Sequence, residues 1–264
     1  MSSRELLLWV ALLCSALRMA GIMATELAAG TDRASWSMIE VIVWGCAITL
    51  LVRDKLTPAA TSGQVWSVVS LLGLTMMLSG NMLYVGLLLI GWIVLRTKGW
   101  SDNQRKFAVI LMAIGLYRIG SRLVVLLLGD VILRMDTALA GVLMTAAVPG
   151  STWSDNHITP PNDVGITVGM ACSSFANLSL VSLCYTSIAI LDGAAWTRRN
   201  LASIGMVWLA IILLNTVRLV LMARSLDAYE YWHNGEGAEM FGVGLSLVTV
   251  ALCSLGSRWA NRRC

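Results

Sequence analysis

The chain has 264 residues, of which 57% are hydrophobic and 13% charged, with a mean hydropathy of +0.75. That balance lies far outside the globular range and identifies an integral membrane protein. At about 20 apolar residues per helical span, membrane helices use up the length and exclude a separate water-soluble catalytic domain. The formal charge of +4 comes from basic residues scattered in small groups between apolar runs, without the patch or stripe of a nucleic-acid-binding surface.

In lipid every backbone group must be satisfied within its own element, and long apolar runs predict helices rather than the short alternating strands of a barrel. The first run, 6–28, follows Arg4 and contains Arg18, which predicts an uncleaved first helix instead of a signal peptide. A second span is predicted over 36–52. Runs 64–79 and 81–95, parted only by Gly80–Asn81, predict a tight helical hairpin, with one long tilted helix as the competing reading. A further span covers 107–128.

The stretch 131–148 is apolar only from Ala138 and has Asp130, Arg134 and Asp136 at its start, which predicts a re-entrant or interfacial helix. Pro149–Met170 contains Pro160–Pro161 and no Lys or Arg. Spans over 172–191, 201–223 and 239–257 complete an all-α polytopic membrane protein of about eight helices. It forms one integral domain, 1–264, with N-terminal helices over 1–128 and a catalytic half over 129–264.

Lys and Arg in short loops set orientation. Twelve fall on one side and three, Arg33, Arg134 and Arg224, on the other; Arg18, Arg118, Arg122 and Arg218 lie inside apolar runs. This predicts a multi-pass protein of the inner (plasma) membrane with both termini cytoplasmic. The same bias brings Cys172, Arg218 and His233 to the outer face, beside the loop Ser225–Ala238.

These three residues have a chemical logic together. A thiol at a helix start is favoured as thiolate by the positive end of the dipole, although buried cysteines more often serve as small hydrophobes. The six cysteines lack CxxC spacing, so neither a disulfide framework nor a thiolate zinc site is indicated. Arg218 shares a helix face with Asn215. An arginine there either snorkels to headgroups or holds a partner, and could stabilise an oxyanion or thiolate. His233 supplies an acid/base, and Ser173 and Ser174 can hydrogen-bond around the thiol. Arg118 and Arg122, one turn apart, either line a polar groove or pair internally with Asp130, Asp136 or Glu40. The two histidines, without HExxH spacing, give no metal site, and no cofactor is expected.

The stretch Ala171-Cys172-Ser173-Ser174, the Asn215-x-x-Arg218 helix and His233-x-x-x-Gly237 resemble the exosortase/archaeosortase family over about the last 110 residues; Ser174 stands where that family usually has glycine. The resemblance implies a cysteine peptidase or transpeptidase with Cys172 as nucleophile, Arg218 as cationic stabiliser and His233 as acid/base. It also implies a membrane-anchored protein substrate whose C-terminal tail carries a short motif, a transmembrane helix and a basic cluster. Transfer of the cut end to a lipid or glycan acceptor would follow. Two readings from other classes stand beside it: a small anion transporter or channel, and a non-catalytic scaffold for export or polysaccharide assembly.

Overall fold

The computed structural model describes residues 38–53, 82–161, 165–194 and 196–262. The spans predicted over 6–28 and 64–79, and the hairpin at Gly80–Asn81, lie outside them. The described helices are α1 (Met38–Val52), α2 (Met82–Arg96), α3 (Asp102–Ala147), α4 (Ser174–Leu191), α5 (Arg198–Met222), α6 (Leu226–His233) and α7 (Glu236–Asn261). Between α3 and α4 lie strands β1 (Thr152–Ser154), β2 (His157–Thr159) and β3 (Ile166–Thr167), then a 3-10 turn, Met170–Cys172. By length and composition, α3, α4, α5 and α7 are able to cross a membrane, while α1 and α2 are shorter apolar helices.

The chain divides into two compact units, Met1–Gly120 with Thr186–Gly193, and Ser121–Tyr185 with Ala194–Cys264. In the first, α3 opens on a capping box: Ser101 Oγ accepts from the Gln104 N–H and Gln104 Oε1 from the Ser101 N–H, both at 3.1 Å. Glycines let α2 and α3 meet backbone to backbone. A Cβ on Gly91 would fall 2.8 Å from the Ala108 carbonyl oxygen, and one on Gly115 would fall 2.7 Å from that of Tyr84. Gly91 is thus matched with Ala108 and Gly115 with Tyr84, an antiparallel pair held by the small-residue contacts typical of membrane helices.

The separate re-entrant or interfacial helix expected over 131–148 is absent as such. Residues 107–128 and 131–147 are parts of the 46-residue α3, roughly 70 Å along its axis and more than twice the thickness of a hydrocarbon core. The charges that suggested a break fall on different helix faces. Asp130 and Arg134 are exposed, and Arg134 meets Asp155 at 3.4 Å. Asp136, Thr137, Ala140, Gly141 and Met144 form a buried stripe with helical spacing. No proline interrupts the chain between Pro58 and Pro149, and proline is the residue that would force a stop.

In the second unit that stripe faces a core built from Ile158, Ile166, Val168, Cys172, Leu219, Val220, Met222 and Ala223. The segment Pro149–Met170, where no element was predicted in the all-α reading, contains a three-stranded antiparallel sheet in the order β1-β2-β3. Ser154 is paired with His157 and Ile158 with Ile166. The sheet seats on α3 at Gly141, where a Cβ would lie 2.2 Å from the Trp153 ring. Gly165, at φ +78, makes the turn into β3, a conformation open to glycine without strain. Helix α5 packs on α7, and the short α6 packs on both.

Candidate active site

Cys172 is 7% exposed and carries a thiol rather than a disulfide. It does not open a helix. It ends the 3-10 turn, its N–H bonded to the Gly169 carbonyl at 2.9 Å, and α4 starts two residues later. The first N–H of α4, that of Ser174, is already taken by Asp136 Oδ2 at 2.8 Å. This carboxylate reaches across from α3 and acts as the cap that Ser174 cannot supply for itself. The dipole argument made from sequence is therefore weakened at this cysteine, because an anion sits on the N-terminus it invoked.

Asn215, on α5, holds the turn from the other side. Its Nδ2 donates to the Cys172 carbonyl at 2.9 Å and to Ser174 Oγ at 3.3 Å. Asn215 is 1% exposed and Ser174 3%, so these bonds replace water entirely and specify the backbone path around the thiol. Ser173 Oγ, Asn215 Oδ1 and Thr137 Oγ1 are buried without a hydrogen-bond partner among the described residues. Buried polar groups are nearly always paired, so these three atoms retain bonding capacity.

Arg218 lies one helical turn beyond Asn215. Its guanidinium sits over the Phe241 ring of α7, 5.0 Å from the centroid. Its Nε and Nη2 donate to the Trp232 carbonyl at 3.2 and 2.9 Å. A carbonyl in the last turn of a helix lacks an intrahelical partner and bears partial negative charge, so a cation there is favoured. Arg218 thus ties α6 to α5 at the residue before His233.

His233 closes α6. Its ring stacks on Tyr229 with centroids 4.7 Å apart and 13° between planes, and Nδ1 lies 2.8 Å from Asn234 Oδ1. Asn234 Nδ2 in turn donates to Glu230 Oε2 at 3.1 Å. Tyr229 is within electrostatic reach of Cys172. Burial above all, then negative charge at Cys172 and Glu230, pushes its phenol above the usual tyrosine value. Helix α6 itself starts at Ser225, whose hydroxyl accepts from the Ala228 N–H at 3.1 Å. Tyr229, Glu230 and Asn234 were not singled out from sequence, because 225–238 was taken as loop; their i,i+4 spacings with His233 and with each other are the signal that a helix there would have exposed.

Arg118 and Arg122 were expected either to line a groove or to pair internally. Arg118 belongs to the first unit and forms an ion pair with Glu40, so internal pairing is what the structure supports for it. Arg122 is exposed and lies 14 residues before Asp136 on the same helix, about 21 Å along the axis.

No family model, curated protein or solved structure matches this chain.

Proposed function

We propose that the protein is a membrane-embedded cysteine peptidase or transpeptidase that removes the C-terminal sorting tail of exported proteins at the outer face of the inner membrane. One observation carries the reading: a single helix, α5, holds the Cys172 turn through Asn215 and, one turn on, binds the carbonyl next to His233 through Arg218. An enzyme that must set a thiol and its acid/base on either side of one cation needs both anchors.

In this reading Cys172 gives its thiol proton to His233 and attacks the scissile carbonyl, forming a C–S bond. The oxyanion is met by the Arg218 charge and the Ser173 hydroxyl. Collapse breaks the C–N bond, the leaving amine takes the proton from His233, and a thioester remains. Water or an acceptor amine, on a lipid or glycan, then attacks the thioester, and the Cys172 thiolate departs. The substrate is a protein whose tail combines a short motif, a transmembrane helix and a basic cluster. Such a tail reaches the site by lateral diffusion, so no aqueous channel is required.

The test is co-expression with a tagged candidate of that tail design. Wild type cuts it, while Cys172→Ala, Arg218→Ala and His233→Ala, at equal abundance, do not. Normal cleavage of a true substrate by Cys172→Ala would remove the nucleophile and the proposal with it.

A further inference from the structure

We infer that Asn234 and Glu230 are positioning residues that fix which nitrogen of His233 carries the proton. Its catalytic meaning rests on the thiol chemistry proposed above; the tautomer itself does not.

The chain of donors and acceptors has one direction. Glu230 Oε2 only accepts, so the Asn234 atom 3.1 Å from it is the amide nitrogen. This fixes the amide orientation and turns Oδ1 toward His233, 2.8 Å from Nδ1. An amide oxygen also only accepts, so Nδ1 must be the donor and carry hydrogen. The lone pair of the neutral ring is then on Nε2, the nitrogen on the far side of the ring from Asn234. A free histidine side chain prefers the opposite tautomer, with hydrogen on Nε2, so the pattern has to be imposed.

The parts that impose it belong to one helical turn. Glu230 and Asn234 are four residues apart, and the Asn234 N–H is bonded to the Glu230 carbonyl at 3.0 Å, so the backbone already fixes the distance between their side chains. The Tyr229 stack sets the plane of the ring, and Arg218 holds the end of the helix through Trp232. A neutral amide orients the imidazole without placing a full charge directly against it, while Glu230 acts one step removed. Nε2 becomes the atom that receives the Cys172 proton and returns it to the leaving amine. Without the amide the ring is free to present a protonated Nε2, which cannot accept.

The experiment is nitrogen NMR of the full chain, labelled with 15N-histidine in detergent micelles. The chain has only two histidines, and His157→Gln leaves His233 alone in the spectrum. Neutral His233 should show the Nδ1–H tautomer in this background, shift toward Nε2–H in Asn234→Ala, and stay Nδ1–H in Asn234→Asp, which keeps an acceptor oxygen. Glu230→Gln, which frees the amide to rotate, should give a mixture. With a cleavable tail, kcat in Asn234→Ala should fall at least about tenfold at little-changed KM, with partial recovery in Asn234→Asp. An Nε2–H ring in the reference protein, or an unchanged ring in Asn234→Ala, overturns the inference. The expected tautomers together with tail cleavage that survives Cys172→Ala would sustain it and reject the peptidase reading.

Discussion

Arg218 and the carbonyl oxygen of Trp232 are joined by two hydrogen bonds that converge on the one oxygen, Nε at 3.2 Å and Nη2 at 2.9 Å. A guanidinium makes this fork with two nitrogens of one rigid plane; an ammonium has a single nitrogen and cannot. The residue therefore carries two separable contributions, a positive charge and a tether on α6.

Two substitutions separate them. Arg218→Lys keeps the charge and loses the fork, and Arg218→Gln loses the charge. Hydrogen bonds from charged groups are worth about 1.5–3 kcal/mol, so tail cleavage in Arg218→Lys should fall roughly 10- to 150-fold. The alkylation rate of Cys172 should move to higher pH in Arg218→Gln and much less in Arg218→Lys. Identical alkylation profiles for the two variants would show that charge at this position does nothing for the thiol.

Asn215 makes a different prediction because its partners are backbone and hydroxyl. Asn215→Ala deprives the Cys172 carbonyl and Ser174 Oγ of their donor in a buried site, a loss of about 1–3 kcal/mol. Leu213→Ala, two residues away and 56% exposed, should have little effect in the same background. Reversible unfolding in mixed micelles measures both. A drop for Asn215→Ala no larger than for Leu213→Ala would mean the turn around Cys172 stands without it.

Apolar runs made most of the described helices legible, since burial in lipid is read by hydropathy alone. The ends were not. Helices α5 and α7 begin three residues earlier than the predicted 201 and 239, in polar turns opened by Thr197 and Gly235, and capping is invisible to hydropathy. Helix α3 was divided because Asp130, Arg134 and Asp136 were taken together as a polar break. On a helix the first two face outward and the third faces Ser174. Helix α6, with eight residues, is too short for an apolar period to emerge. Charge bias could place Cys172, Arg218 and His233 on one surface, but not find Asp136. That residue reaches Ser174 across 38 positions of sequence, a contact only tertiary packing creates.

Tyr229 gives a pH dependence with a definite sign. Its folded value is raised, first by burial and then by charge at Cys172 and Glu230, so the folded state keeps the proton after the unfolded state has lost it. Stability from this phenol is complete below about pH 10, the unfolded value, and is lost as pH rises through the folded one. Tyr229→Phe should flatten that alkaline limb of the unfolding temperature and leave the neutral region nearly unchanged. A wild-type limb no steeper than that of the variant would contradict it.

The ion pair between Arg118 Nη2 and Glu40 Oε1 should be a stability element of the first unit. The Arg118 guanidinium also lies 5.9 Å from the Tyr84 ring centroid and 5.4 Å from that of Tyr117. The partners are unequally buried: the Glu40 side chain is 7% exposed and that of Arg118 is 36%. Removing one member of a buried pair costs about 3–5 kcal/mol because the other charge is stranded, and partial solvation reduces that when arginine is the one left behind. Arg118→Gln, which strands the buried carboxylate, should therefore be less stable than Glu40→Gln, and the double variant should recover part of the loss. Unfolding midpoints of the three proteins decide the order. Per molecule inserted, tail cleavage by the double variant should equal that of wild type; slower cleavage at equal abundance would return Arg118 to the substrate groove.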